Sequence, residues 1–188
     1  MKLIQVYKAD LLNGEGLRDV YFFSGCNHQC QGCFNKETWD YDMPNAKEWT
    51  DDDFEEMIKN ASKPYISGIT LTGGDPLFSK NQSDILKLCK EFKERLPEKT
   101  IWLYTGYTFE SIMFSSDLKP LILRYVDVLC DGPFIESLKS PNKPWVGSSN
   151  QRVIDVKNSK IGDIKLLYTD YEDTTHIQKT CSCCQEII

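Results

Sequence analysis

Residues 18–33 read RDVYFFSGCNHQCQGC, in which a hydrophobic run is followed at once by three cysteines. The run is rich in aromatic and β-branched residues and predicts a β-strand. Cys26, Cys30 and Cys33 then follow with C-x3-C-x2-C spacing. In a loop, this spacing lets three thiolates reach three corners of a cubane iron-sulfur cluster, and one iron keeps no protein ligand. Such an iron can bind an incoming molecule, as catalytic metal sites do through an open position.

Two other interpretations of the three cysteines stay open at this point. One is a zinc site, which needs a fourth ligand such as His28 or Cys130. The other is three thiols that are close in sequence and bind nothing. A histidine in a polar loop is more often exposed or hydrogen-bonded than a ligand, so we assign His28 no catalytic role.

Further along the chain, predicted strands and helices alternate. Strands are predicted at 2–7, 18–23, 68–71, 101–104 and 126–130. Helices are predicted at 83–96, at 116–124 and after Thr50, whose hydroxyl can cap a helix start. Alternation of this kind indicates parallel βα units. A complete eightfold barrel needs roughly 250 residues, and this chain has 188. The expected fold class is therefore α/β, an incomplete, splayed parallel (β/α) barrel with one open side.

An unusual loop follows each of the later predicted strands. These loops are CNHQCQGC, TGGDP, TGY and DGPF. Because the carboxyl ends of parallel strands share one rim, we expect the four loops to converge on one site. Gly73 and Gly74 permit backbone conformations that let a ligand approach the main chain, and Thr105, Asp131 and Gly132 are expected at the same mouth. Simple turn chemistry explains these residues equally well.

Composition limits the partners and the compartment. The chain has 22 basic and 28 acidic residues and a net charge of -6, so nucleic acid is not an expected partner. It has no apolar stretch of roughly 18 residues that could span a bilayer, and we expect a cytoplasmic protein without a membrane partner. The eight cysteines form a triplet, two singles and a terminal cluster, a distribution that favours metal ligation over disulfides.

The remaining cysteines fall outside the triplet. Cys89 lies on the apolar face of a predicted helix and Cys130 in a predicted strand, so both are expected to be core thiols. The terminal Cys181, Cys183 and Cys184 could form a metal clip or a redox pair, but C-x-C-C is not the usual zinc spacing, and an inert tail is favoured.

Longer segments of the chain resemble a known family. SGCNHQCQGCFNKETW and GITLTGGDPL are similar to the radical S-adenosylmethionine superfamily, and IWLYTGY, VDVLCDGPFI and WVGSSNQRVI resemble its branch that activates anaerobic ribonucleotide reductases. The similarity runs in patches from residue 13 to about 154. It implies a radical S-adenosylmethionine catalytic domain with a barrel of that superfamily's type. The composition changes after about Lys157, so we assign residues 1–156 to this domain and 157–188 to a C-terminal extension with a Cys-rich end.

The resemblance also implies cofactors and partners. A 4Fe-4S cluster would be held by Cys26, Cys30 and Cys33, and S-adenosylmethionine would chelate its fourth iron. The expected cofactor-binding residues are Gly32, Cys33, Phe34, Gly73, Gly74, Asp75 and Thr105. One electron would release a 5'-deoxyadenosyl radical, which takes hydrogen from a glycine of the large subunit of the anaerobic ribonucleoside-triphosphate reductase. A reducing electron-donor protein would be the second partner, and no side chain is expected to act as a catalytic group.

One departure and two alternatives accompany this hypothesis. Much of the superfamily has an aromatic residue just before the third cysteine, whereas this chain has Gly32 there and Phe34 after it; the activating branch resembles this chain at that point. The roles of Arg18 and of GSSNQ at 147–151 stay open. The alternatives are an activase of another glycyl radical enzyme, such as a formate-lyase type, or a small-molecule enzyme, and a non-enzymatic module that binds zinc or a cluster.

Overall fold

The computed structural model describes residues 1–168, which form one sheet with four helices. The strands are β1 Lys2–Asp10, β2 Arg18–Phe23, β3 Lys47–Glu48, β4 Gly68–Gly73, β5 Thr100–Tyr104, β6 Val128–Asp131 and β7 Arg152–Asp155. The α-helices are α1 Asp51–Ala61, α2 Gln82–Arg95, α3 Phe109–Met113 and α4 Lys119–Leu123, and short 3-10 helices lie at Lys36–Trp39 and Glu136–Leu138. The strand order across the sheet is β3-β1-β2-β4-β5-β6-β7.

The four central strands of the sheet are parallel. β2 pairs with β4, β4 with β5, and β5 with β6, all in the same direction. The three other predicted strands that end in unusual loops, β4, β5 and β6, therefore run parallel to β2 as expected. The parallel pairing that was inferred from the alternation of strands and helices is present in this part of the sheet.

The predicted (β/α) barrel is wrong, because the sheet is mixed and its outer strands are antiparallel. β1 pairs antiparallel with β2, and β7 pairs antiparallel with β6. A parallel crossover usually needs a helix between the two strands. The turn-rich segment NGEG joins β1 to β2, and the segment from β6 to β7 contains only a 3-10 helix. Both connections therefore reverse the chain direction, and only four strands remain parallel.

The helices form the main core with one face of the sheet. α1 buries Phe54, Met57, Ile58 and Ala61, the residues predicted to form its apolar stripe. The predicted Thr50 cap is also confirmed: its Oγ1 accepts from the Asp53 N–H at 3.2 Å, and the Asp53 carboxylate accepts from the Thr50 N–H at 3.0 Å. The single helix predicted at 116–124 is instead the short α4, and α3 precedes it.

The opposite face of the sheet carries a smaller core around Trp102, Val128, Cys130 and Val153. Arg18 lies on this face and is 1% exposed. Its guanidinium donates to oxygens of Thr70 and Ile69 at 3.0 and 2.7 Å and lies 5.3 Å from the centre of the Trp102 ring. This residue therefore connects β2 with β4 and β5 and has a structural role.

Two further sequence predictions can be compared with this fold. Cys89 and Cys130 are both fully buried, which confirms that they are core thiols. Among residues 1–168, no helix has the length and apolar character needed to cross a membrane.

Candidate functional site

The three cysteines of the triplet lie in the loop that follows β2. Cys26, Cys30 and Cys33 are free thiols, each partly buried. The base of the loop is held by two backbone hydrogen bonds to the 3-10 helix, from Gly25 N to Thr38 O at 2.8 Å and from Cys26 N to Trp39 O at 3.1 Å. The loop thus doubles back on itself directly at the carboxyl end of the strand.

Backbone N–H groups favour the thiolate form of these cysteines. The Asn35 N–H lies 3.4 Å from Cys33 Sγ, and backbone N–H groups act to lower the pKa of Cys26 and of Cys30. Hydrogen bonds of this kind stabilise the thiolate form that an iron-sulfur cluster needs. The donor set therefore fits a 4Fe-4S cluster.

Burial has the opposite effect on two of these thiols. It raises the pKa of Cys26 to about 11 and outweighs the backbone hydrogen bonds. It also raises the pKa of Cys30, again against a backbone hydrogen bond. Both thiols are therefore protonated at neutral pH in the metal-free chain, and binding of iron must release their protons.

The candidate fourth ligands for zinc are engaged elsewhere. His28 Nε2 lies 2.8 Å from an Asp75 oxygen, and Cys130 is buried in β6. Within residues 1–168, no three Cys, His, Asp or Glu side chains are close enough together to hold one metal ion. In a cubane each cysteine binds a separate iron, so its ligands are spread around the cluster and do not gather at one point.

The TGGDP loop packs directly against the start of the cysteine loop. The N–H groups of Gly74 and Asp75 donate to Phe23 O and Gly25 O, both at 2.8 Å. Gly73 has φ +103°, and a Cβ on Gly74 would lie 2.5 Å from Gly25 O. In this structure, these glycines therefore let the TGGDP loop pack closely against the cysteine loop of the same chain.

The Asp75 carboxylate joins three loops of the rim. The side chain is buried, with 1% exposure. One oxygen accepts from the Leu77 N–H at 2.8 Å. The other accepts from Thr105 Oγ1 at 2.9 Å and from the Gly106 N–H at 3.1 Å, and it also contacts His28. Asp75 and Thr105 are thus bonded to each other inside the rim.

Sequence reasoning gave His28 no catalytic role and expected it to be exposed or hydrogen-bonded; the structure places it at the centre of these contacts. Besides the Asp75 contact, its ring meets the ring of Tyr107 edge to face at a centroid distance of 4.5 Å. A Cβ on Gly106 would lie 2.4 Å from His28 Cδ2, so the absence of a side chain there makes room for the imidazole. Gly106, in the TGY segment, was the available sign of a close contact in the sequence, but the sequence does not show that the contact is with His28.

Phe34 and Gly32 lie at the exposed side of the cysteine loop. Phe34 is 66% exposed, and its ring meets Phe134 at 5.5 Å and lies under Lys139 Nζ at 5.3 Å. Gly32 has φ +71°, and a Cβ there would lie 2.8 Å from the Glu136 side chain. The loops after β2 and β6 therefore touch beside the thiols.

Contacts between the loops confirm the predicted convergence at one rim. The loops after β2, β4 and β5 meet at Asp75, and Gly132 N donates to Tyr107 O at 3.0 Å. Asp131, expected at the mouth, is fully buried. Its carboxylate accepts from the Phe109 N–H at 2.7 Å and from Arg152, so it supports the rim from within.

The cysteines of the terminal cluster, Cys181, Cys183 and Cys184, lie outside the described residues. The triplet, the TGGDP loop and the 147–151 segment all lie within them.

Several known proteins with similar sequences carry the same name. A family model described as a 4Fe-4S single cluster domain matches residues 12–154. Proteins named anaerobic ribonucleoside-triphosphate reductase-activating protein are similar over most of the chain. The protein from Enterobacteria phage T4 is 44% identical over 81% of this chain and 93% of its own length. The proteins from Vibrio cholerae and Escherichia coli K12 are each 39% identical, over 80% and 81% of this chain and 96% and 97% of theirs. The chain belongs to the family of anaerobic ribonucleoside-triphosphate reductase-activating proteins.

Proposed function

We propose that this chain activates an anaerobic ribonucleoside-triphosphate reductase through radical S-adenosylmethionine chemistry, with a 4Fe-4S cluster on Cys26, Cys30 and Cys33. The observation that carries the proposal is the triplet of free, partly buried thiols in the single loop after β2, with the Asn35 N–H 3.4 Å from Cys33 Sγ. When bound, the reduced cluster would supply one electron that splits S-adenosylmethionine into methionine and a 5'-deoxyadenosyl radical, and this radical would take hydrogen from a glycine of the reductase.

The side chains around the thiols have two different tasks in this proposal. Phe34 presents a largely exposed ring beside Cys33 and is available to pack against the cofactor. Asp75 and Thr105 are buried and hydrogen-bonded to each other, so their task is to hold the shape of the rim. Gly73 and Gly74 bring the second loop against the first, and Gly32 keeps the turn before the third cysteine free of a side chain.

We further propose how the chain is divided and what it meets. Residues 1–156 form the catalytic unit and 157–188 an extension. The partners are the large subunit of the reductase, which would dock at the rim, and a reducing electron-donor protein. The names of the relatives support the first partner.

The test begins with anaerobic reconstitution of the chain. Iron and acid-labile sulfide are measured per chain, and formation of 5'-deoxyadenosine from S-adenosylmethionine is followed after reduction. We expect cluster-dependent product from the wild type and neither cluster nor product from Cys30→Ala, because a site with three ligands has no spare one. Cys89→Ala is the matched control. It also removes a free thiol, but Cys89 is buried in α2 and lies outside the triplet.

The outcomes separate the competing functions. Stoichiometric zinc without product would indicate a structural module. Product without a glycyl radical signal on the anaerobic ribonucleotide reductase would point to a different glycyl radical enzyme or a small molecule as target. Turnover by Cys30→Ala equal to that of Cys89→Ala would refute the ligand assignment.

A further inference from the structure

The stretch between the first two cysteines of the triplet is not held by backbone hydrogen bonds. Cys26 N donates to the 3-10 helix before this stretch begins, and Cys33 N donates to Cys30 O at 3.1 Å after it ends. In the part of the chain that the structure describes, the backbone N–H groups of residues 27–29 donate to no carbonyl oxygen. The position of this stretch therefore depends on side chains.

The backbone of the same stretch adopts a conformation that needs support. Gln29 has φ +47°, in the left-handed region that residues with a Cβ adopt only rarely. Such a conformation persists when contacts of the surrounding structure hold it. Asn27 and Gln29 are exposed, whereas His28 between them is partly buried. Of these three residues, His28 alone makes a side-chain hydrogen bond within residues 1–168.

The partner of His28 is a buried carboxylate in the TGGDP loop. His28 Nε2 lies 2.8 Å from Asp75 Oδ2. The same oxygen accepts from Thr105 Oγ1 at 2.9 Å and from the Gly106 N–H at 3.1 Å. An ionised carboxylate can only accept, so the imidazole donates through Nε2. A hydrogen bond to a charged acceptor is stronger than one between neutral groups, and Asp75 is shielded from water.

The imidazole occupies a space that has little room to spare. A Cβ on Gly106 would lie 2.4 Å from His28 Cδ2 and 2.7 Å from Nε2. Gly106 is outside the left-handed region, so an alanine there would alter the available space more than the backbone. The Tyr107 ring meets the imidazole from another side at a centroid distance of 4.5 Å. The TGY segment thus determines where the imidazole lies.

We propose that His28 is a positioning residue whose hydrogen bond to Asp75 holds the stretch between Cys26 and Cys30 in place before iron is bound, and thereby slows loss of the cluster. We call this hydrogen bond the latch. The second part of the inference rests on the proposed function, because it requires a cluster on the triplet. The first part concerns the metal-free chain and can be measured without any cluster.

The first measurement is alkylation of the reduced, metal-free full chain, followed at Cys26 and Cys30 by tandem mass spectrometry. Cys89 is fully buried in α2 and serves as the reporter of global unfolding in the same chain. We expect His28→Leu to raise the labelling rates of Cys26 and Cys30 about tenfold, the factor that corresponds to loss of one hydrogen bond to a charged group. The labelling rate of Cys89 should stay low.

Two further variants test whether the hydrogen bond itself is responsible. His28→Gln keeps an N–H donor on a side chain of similar reach, and we expect it to restore slow labelling. Gly106→Ala leaves the cysteine loop unchanged in sequence but places a methyl group where the imidazole lies. We expect it to reproduce the fast labelling of His28→Leu.

Thr105→Val is the matched control. It removes a hydrogen bond to the same Asp75 oxygen, but from a residue outside the cysteine loop. We expect lower thermal stability from this variant and labelling rates at Cys26 and Cys30 close to those of the wild type.

The second measurement is the rate at which an iron chelator removes iron from the reconstituted chain. S-adenosylmethionine and reductase are left out, so the readout does not depend on turnover. We expect faster iron loss from His28→Leu and Gly106→Ala than from the wild type, His28→Gln and Thr105→Val.

Each result decides between the proposals. A wild-type rate of labelling or of iron loss in a folded His28→Leu would overturn the latch and leave the proposed function intact. Labelling of His28→Gln or Thr105→Val as fast as that of His28→Leu would overturn it too. If His28→Leu does not fold, Gly106→Ala decides by the same criterion. Absence of a cluster from the wild type would refute the proposed function, while the labelling rates would still decide whether the latch holds the loop.

Discussion

Asp75 shows how one buried carboxylate organises the rim. Asp75 lies two residues after Gly73, the last residue of β4. It contacts the loops after β2 and β5 through His28 and Thr105. A buried charged group is tolerated only when its hydrogen-bonding capacity is satisfied. In Asp75 both oxygens are engaged, so the residue that seemed suited to bind a ligand is used to keep three loops together.

Replacing this carboxylate should therefore lower stability before any cofactor is bound. We expect Asp75→Asn to reduce the free energy of unfolding of the metal-free chain by about 3 kcal/mol, because the new NH2 group faces N–H and O–H donors that lose their acceptor. Urea unfolding followed by circular dichroism measures the change. Asp52→Asn, at an exposed position of α1, is the control. Equal unfolding midpoints for the two variants would contradict the role given to Asp75.

At the scale of elements, Asp127 ties helix α2 and strands β5 and β7 to the start of β6. Its carboxylate accepts from Lys93 Nζ at 2.8 Å and from the Ile101 N–H at 2.8 Å. Lys157, just after β7, pairs with its other oxygen at 2.7 Å. Burial opposes ionisation, but the hydrogen bonds from Lys157, Lys93 and Ile101 outweigh it, and the pKa of Asp127 is lowered.

This arrangement predicts a specific dependence of stability on pH. A carboxyl whose pKa is lower in the folded than in the unfolded chain stabilises fully above its ordinary pKa of 3.8, and loses that contribution as the pH falls through the lowered value. We expect Asp127→Asn to be less stable than the wild type by about 2 kcal/mol at neutral pH, with the difference shrinking below the ordinary pKa.

Urea unfolding of both proteins at a series of pH values tests this expectation. The difference between the two chains isolates Asp127 from the other carboxylates, which titrate in both. A difference that stayed constant down to the most acidic condition would show that ionisation of Asp127 does not stabilise the connection between α2, β5, β6 and β7.

At the scale of the whole molecule, the helices that form the core and the loops that carry the proposed site lie on different parts of the mixed sheet. The helices pack on one face, and the loops at the carboxyl ends of β2, β4, β5 and β6 meet along one edge. The antiparallel β1 and β7 flank the parallel strands and do not lengthen the parallel series. The three proposed cluster ligands all lie in the loop after β2, and the other loops of the rim also lie within residues 1–168.

A truncation before Thr180 tests this localisation. The variant lacks Cys181, Cys183 and Cys184 but keeps the triplet, and we expect its iron and sulfide content per chain to equal that of the full chain. Cys30→Ala in the full-length protein is the reference for a lost ligand. A reduced iron content of the truncated chain, with unchanged secondary structure, would show that the terminal cysteines take part in metal binding.

Much of the local structure could be predicted because it depends on neighbours in sequence. The Thr50 cap, the apolar stripe of α1 and the strand before the triplet each follow from residues a few positions apart. Helix 116–124 was predicted less well: Pro120 lies in the first turn of α4 and Thr108 begins a separate α3. Family membership was also predicted from sequence, and the relatives confirm it.

The amino-acid sequence by itself determined the family, the triplet of cysteines, the core thiols and the convergence of four loops on one rim. Only the tertiary structure decided that the sheet is mixed and not a barrel, that Asp75 faces inward to His28 and Thr105, and that the ring of Phe134 meets that of Phe34. The physical reason is that periodicity and spacing describe each segment only by itself. The direction of β1 and β7, and the hydrogen bonds between residues far apart in the chain, depend instead on how the elements pack together.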